Sequence, residues 1–293
     1  MHAGDCRLIR PHEHDLGDGF TVRRLLPQAG RRSIGPFVFF DHMGPVRLPP
    51  GQGMDVRPHP HIGLATVTWL FEGCIRHRDS LGSDQDIRPG ELNWMIAGHG
   101  IVHSERSPQA ERETGARVHG IQTWLALPAG HEETAPAFHH YGAENLPRVE
   151  AEGVKIRVMA GEAWGVRSPV PLFSPTLFAE VRLQVGAHWH LPEGHDELGL
   201  YVVDGTLSAG GTRIRTGEMA VFGRMPAPLL AQDECLLVLV GGAPLDGPRI
   251  VWWNFVARDR KRIRQAGADW KAGRFGTVPG DDEECIPLPE GGP

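Results

Sequence analysis

The apolar positions of this chain come in short runs closed by glycine or proline. Between Pro36 and Pro128 the runs PFVFFDHM, LATVTWLFEG, ELNWMIAG, GIVHSE and GIQTWLALP follow one another. Thr66, Val67, Thr68 and Trp69 are β-branched or aromatic and fit a pleated surface. Short strands with turn residues at close spacing predict an antiparallel sandwich or barrel. A second series, KIRVMAGEAWG, TLFAEVRLQVG, LGLYVVDGTLSAGG, EMAVFG and CLLVLVGG, repeats the style from Lys155 to Gly242. VTWLFEGCIRHRDS and LYVVDGTLSAGG share one plan, an apolar strand ending in acid–glycine and then a second strand, which points to two copies of one β-fold. The polar, proline-bearing stretch 128–153 reads as a linker between the two series.

Further on, the period changes. Val256, Ile263, Ala266 and Trp270 recur at roughly helical spacing, which predicts one amphipathic helix over about 256–272. Its basic cluster, Arg258 with Arg260 to Arg264, reads as a solvated face rather than a nucleic-acid contact.

Composition narrows the class. Of 293 residues, 40% are hydrophobic and 23% charged, which is ordinary for a soluble globular protein, and 38 glycines with 25 prolines suit turns better than long helices. A net charge of −6 gives no general pull toward nucleic acid or an anionic membrane. No apolar run is long enough to span a bilayer, and the opening MHAGDCRLIRPHEHDLGDG lacks the apolar core of a signal peptide. Cys6, Cys74, Cys235 and Cys285 are scattered without a CxxC pair, so free thiols in a reducing cytoplasm are expected.

Histidine carries the chemistry: 13 of the 16 lie before residue 150. RPHPHIGLATVTWLFEG places His59 and His61 two residues apart, and PGELNWMIAGHGIVHSE does the same for His103 and Glu105. Residues i and i+2 of a strand share a face, about 7 Å apart. If the two strands face one another inside a barrel, four ligand atoms converge. Three imidazoles and a carboxylate suit Fe, Mn, Co, Ni, Cu or Zn, and leave two positions of an octahedral ion open. Each motif alone is a weak signal, being common in polar turns; together they form a strong one. A ligating histidine must be neutral, so metal affinity should fall below about pH 6.5.

Other residues divide between roles. His99, His119 and Gln122 are candidates for the surrounding pocket, and His77 could face inward or to solvent. His42 could reach the pocket, whereas Asp41 reads as closing a turn. Trp94 and Met95 read as core, and His139 and His140 as linker surface.

GPFVFFDHMGP, DVRPHPHIGLATVTWLFEG, HRDSLGSDQDIRPGELNWMIAGHGIVHSE and GIQTWLALP resemble the N-terminal domain of the pirin family, in the cupin superfamily. RIVWWNFVARDRKRIRQAGADWKAGRFGTVPGDDEECIPLPE resembles the close of its bacterial members. The resemblance implies an all-β chain of two cupin (jelly-roll β-barrel) domains packed as a bicupin, with a short C-terminal α-helix. Residues 1–140 would form the metal-binding barrel, and residues 141–293 a metal-free barrel carrying the helix. The family's ligands map onto His59, His61, His103 and Glu105, and its metal is expected to be iron, as Fe2+. The resemblance implies quercetin 2,3-dioxygenase activity, with a flavonol and dioxygen as partners, and in such a reaction Glu105 would balance the metal's charge and could serve as a proton shuttle. The alternative is a non-enzymatic, redox-sensitive regulator acting through a protein partner.

Two departures stand out. The general cupin pattern has a glutamate a few residues after HxH, where this chain has Ala65, and many pirins have arginine in place of His99. GAHWHLPEGHDELGLYVVDG, with His188, His190, His195 and Glu197, resembles a first cupin motif, but GEMAVFGRMPAPLLAQ supplies no histidine to complete it. A vestigial site is expected there.

Overall fold

The computed structural model describes residues 6–15, 20–223 and 228–292. Among the described residues strands dominate, and the two α-helices are Gln109–Thr114 and Arg260–Lys271. Two seven-stranded and two four-stranded sheets form a repeated pair. The first seven-stranded sheet runs, neighbour to neighbour, Ala137–Tyr141, Leu92–Ile96, Leu64–Gly73, Arg117–Ala126, Phe37–Arg47, Thr21–Leu26, His12–Asp15. Its four-stranded companion runs Asp55–His61, Ile101–Arg106, Ile75–Asp79, Asp84–Ile87. The second pair has Glu197–Asp204 and Cys235–Gly242 near its centre, with His188–Trp189 at one edge of the smaller sheet.

The two look-alike segments occupy matching places. Leu64–Gly73 leads into Ile75–Asp79, and Glu197–Asp204 leads into Thr206–Ala209. Gly73 and Gly205 both take left-handed φ, 90° and 94°, and a β-carbon on either would collide with a main-chain carbonyl, of Arg117 and Glu234 respectively. Acid–glycine therefore marks the same sharp turn twice.

The barrels differ inside. The second is filled by one apolar cluster that includes Leu177, Val181, Leu198, Leu200, Val202, Leu237 and Leu239. The apolar residues of the first barrel fall into separate clusters, one around Phe39, Met95 and Trp124, another around Met43, Leu70 and Ile87. Phe39 and Trp124 stack at 3.9 Å between ring centroids. Trp94 and Met95 are core, as expected.

The chain divides into two compact units. One gathers the described residues of Met1–His12, Arg23–Phe37 and Glu144–Pro244; the other gathers those of Glu13–Val22, Val38–Ala143 and Leu245–Pro293. The helix Arg260–Lys271 falls in the compact unit that contains the first barrel. Its buried Ile263 and Ala266 pack with Ile62 and Phe255, so the helix covers apolar surface beside the HxH strand. Asp259 caps its N-terminus by accepting from the Lys261 amide at 2.8 Å. Val256, expected at the start of the helix, instead lies in the strand Phe255–Ala257 and bonds Ile62.

Three smaller expectations also change. Asp41 is buried within the strand Phe37–Arg47 rather than closing a turn. The linker contains the strand Ala137–Tyr141, paired to Leu92–Ile96, so His139 and His140 are half-buried. His140 Nδ1 meets Asn93 Oδ1 at 2.8 Å, which gives the strand a polar tie to its neighbour.

Gly63 links the HxH strand to the next. It has φ 69°, and a β-carbon there would collide with the Val256 carbonyl. Gly63→Ala should lower unfolding free energy in urea by roughly 3 kcal/mol. Gly82, also left-handed at φ 92° but with open space around it, should lose only about 1 kcal/mol on the same change.

Candidate metal centre

The strand Asp55–His61 is an edge strand, which is why Pro58 and Pro60 are tolerated in it. It pairs antiparallel with Ile101–Arg106, placing His103 opposite His59, and a register shift follows before Glu105. On its other side Ile101–Arg106 pairs with Ile75–Asp79, setting His103 opposite Asp79 and Glu105 opposite His77.

This register gathers His59, His61 and His103 in a buried group whose candidate ligand atoms all lie within 4.8 Å of one another. Their ring centroids are 4.4 to 4.9 Å apart. Trp124 meets His61 edge-on at 5.2 Å and forms an apolar wall. His59 Nδ1 donates to the Arg57 carbonyl at 2.8 Å, and His61 Nδ1 to the Asn254 carbonyl at 3.1 Å. A carbonyl can only accept, so both rings carry their proton on Nδ1 and keep an Nε2 lone pair. His103 Nε2 is buried with no hydrogen-bond partner, a costly state for a polar atom. A borderline divalent cation shared by three imidazole nitrogens would satisfy it, so the donor set fits a metal.

Glu105, expected as the fourth ligand, falls outside the group whose ligand atoms lie within 4.8 Å of one another, although its charge acts on His59; it is 4% exposed. Thr68 Oγ1 donates to its Oε1 at 3.0 Å, and Gln122 Nε2 to its Oε2 at 2.6 Å. Each carboxylate oxygen retains a further lone pair. Gln122 thus joins the site through Glu105. His99 is exposed on a turn, its carbonyl accepting from Arg262, and lies outside the buried cluster. His119 forms a separate pair, its Nε2 2.9 Å from His42 Nε2, with Phe71 alongside.

Asn254 and Thr68 carry no local sign of a site role in the sequence, and the sequence leaves both placements of His77 open. His77 is buried, stacked on Phe138 at 4.2 Å, with Nδ1 3.3 Å from His103 Nδ1 and Nε2 2.9 Å from Asp79 Oδ2. Burial acts to raise the Asp79 carboxyl, yet hydrogen bonds from His77 and Ser83 hold it below its ordinary value. A usable signal existed: His77 and Asp79 repeat the two-residue spacing of the other pairs.

In the second barrel the corresponding residues are dispersed. His188 and His190 are exposed on either side of buried Trp189. Glu197 accepts from the Gly35 amide at 2.6 Å and pairs with Arg31 at 3.4 Å. Of the segment 217–232, residues 224–227 lie outside the described residues.

Residues 19–125 match the pirin family, and residues 178–276 match the pirin C-terminal cupin domain. A pirin-like protein of Caulobacter vibrioides is 47% identical over 280 residues, covering 94% of this chain and 96% of that one. This chain belongs to the pirin family. The crystal structure of quercetin 2,3-dioxygenase from Acinetobacter baumannii superposes with TM-score 0.90 at 35% identity, covering 97% of this chain and 95% of that one. A bacterial pirin from Escherichia coli solved in complex with nickel(II) shares the fold at TM-score 0.64 and 16% identity, covering 82% of this chain and 100% of that one. The architecture of this pirin-family chain is therefore two cupin domains, the first of which contains the three-histidine group.

Burial pushes all three imidazoles below the ordinary histidine value of 6.5. Repulsion from neighbouring imidazoles adds to this at His61 and His103. At His59 the Arg57 carbonyl and the Glu105 charge oppose burial without overcoming it. In the metal-free protein the unfolded chain takes up protons below about pH 6.5 while the folded rings stay neutral, so stability is full above that pH and falls below it. The urea midpoint of chelator-treated protein should be flat from pH 8 to 7 and decline toward pH 5. His61→Gln and His103→Gln should each flatten the decline. Because the folded rings remain neutral, metal affinity should begin to fall at a lower pH than a free imidazole would dictate.

Proposed function

We propose that this chain is a metal-dependent dioxygenase of the quercetin 2,3-dioxygenase type, with Fe2+ held by His59, His61, His103 and Glu105. The observation that carries the proposal is a buried group of three imidazoles, with His103 Nε2 unpartnered and two rings tied through Nδ1, beside an oriented carboxylate. The similarity to the Acinetobacter baumannii enzyme points to a flavonol and dioxygen as reactants. When bound, iron supplies positive charge that favours deprotonation of the flavonol 3-hydroxyl, and an open position for a reactant.

The remaining work falls to the protein. The three histidines present their lone pairs without reorganisation, because each ring is already held through Nδ1. Glu105, kept in place by Thr68 and Gln122, takes the hydroxyl proton and can return it to product. Trp124 and Phe39 keep bulk water from the reacting groups. The overall change is oxidative opening of the flavonol heterocycle with release of carbon monoxide. Among the described residues no helix is long and apolar enough to cross a membrane, and no cysteine is in a disulfide.

Protein purified without added metal, analysed for its elements, and tested for oxygen uptake with a panel of flavonols decides the matter. Iron near one atom per chain and flavonol-dependent uptake support the reading. His61→Ala should lower metal content at least about tenfold and abolish uptake. Iron-loaded protein that consumes no oxygen with any flavonol overturns the enzyme and leaves a redox-sensitive regulator.

A further inference from the structure

We propose that Asp79 and His77 form a hydrogen-bond relay that fixes the tautomer of His103 and so keeps its Nε2 free to bind the metal. The inference rests on the metal site proposed above and assigns positioning roles to two residues outside it. His59 and His61 are each tied to a main-chain carbonyl, which can only accept. His103 is the ligand candidate whose Nδ1 meets another imidazole, at 3.3 Å. An imidazole can accept or donate, so the direction of that bond must be set further out.

Asp79 sets it. Its Oδ1 accepts from the Leu81 and Ser83 amides at 2.9 and 3.0 Å, and its Oδ2 faces His77 Nε2 at 2.9 Å. A carboxylate so placed accepts from His77 Nε2–H, leaving His77 Nδ1 bare. That bare nitrogen accepts from His103 Nδ1–H, and His103 Nε2 is left with its lone pair directed into the cluster. Asp79 and His77 are fully or nearly fully buried, and the Phe138 ring lies only 8° from the His77 plane, so neither partner is free to turn.

The relay can be inverted by a single atom. In Asp79→Asn the two amides still demand an oxygen at the Oδ1 position, so the NH2 group faces His77 Nε2. His77 must then accept there and carry its proton on Nδ1. His103 accepts in turn at Nδ1 and moves its own proton to Nε2, the atom needed for the metal. His77→Gln keeps an oxygen able to accept from His103, whereas His77→Phe offers none.

Long-range 1H–15N correlation of the metal-free protein reads the tautomer directly, with His103→Gln assigning the signal. Wild type should show His103 protonated at Nδ1, and Asp79→Asn protonated at Nε2. Titration with Co(II) against a competing chelator should show binding 10- to 100-fold weaker in Asp79→Asn and His77→Phe, and within a few-fold of wild type in His77→Gln. An unchanged tautomer in Asp79→Asn, or Co(II) affinity equal to wild type, overturns the relay. So does loss that follows only the melting temperature across all variants, His77→Gln included. If Asp79→Asn fails to fold, the His77 pair decides by the same comparison: equal Co(II) affinity in His77→Phe and His77→Gln overturns the relay. If wild type itself binds no Co(II), the metal site falls, while the tautomer spectra still decide the relay.

Discussion

An imidazole offers a bare lone pair on one nitrogen only when the other has somewhere to place its proton. Buried away from water, that somewhere must be protein. Three such arrangements are built here within one barrel: Arg57 carbonyl for His59, Asn254 carbonyl for His61 and the His77 ring for His103. The three histidines are 6%, 1% and 1% exposed, so solvent cannot substitute for any of these partners. Much else in the first cupin domain follows from this demand, including the divided apolar core and the polar residues Thr68, Gln122 and Asp79 inside it.

The second domain shows what the same fold does without that demand. Among the described residues its interior holds an extended apolar cluster, and the residues of its HxH-like stretch other than Trp189 turn elsewhere. Trp189 points into the core where two histidines flank it, and Glu197 is engaged by Arg31 and the Gly35 amide. The two domains share their turns, at Gly73 and Gly205, more closely than their interiors. Backbone conformations that only glycine adopts easily constrain a position whatever the barrel contains.

The strand pattern and the two i, i+2 pairs were legible because each depends on neighbours in sequence. Period two places His59 with His61, and the register of two strands then brings His103 to them. What escaped was set by long-range packing. Val256 fits a helical period but pairs as a strand because Ile62 needs a main-chain partner. His139 and His140 sit in a polar, proline-bearing stretch, yet the open edge of Leu92–Ile96 takes that stretch as another strand. Asn254 carries no local sign of its task, since it acts through a carbonyl that every residue possesses.

That carbonyl has a consequence for biosynthesis. His61 and Asn254 are separated by 193 positions, and the stretch between them carries the largest segment of the other compact unit, Glu144–Pro244. Ribosomes deliver the three imidazoles early and their last orienting group late. An emerging polypeptide therefore carries all three imidazoles well before the carbonyl that orients the His61 ring has been made.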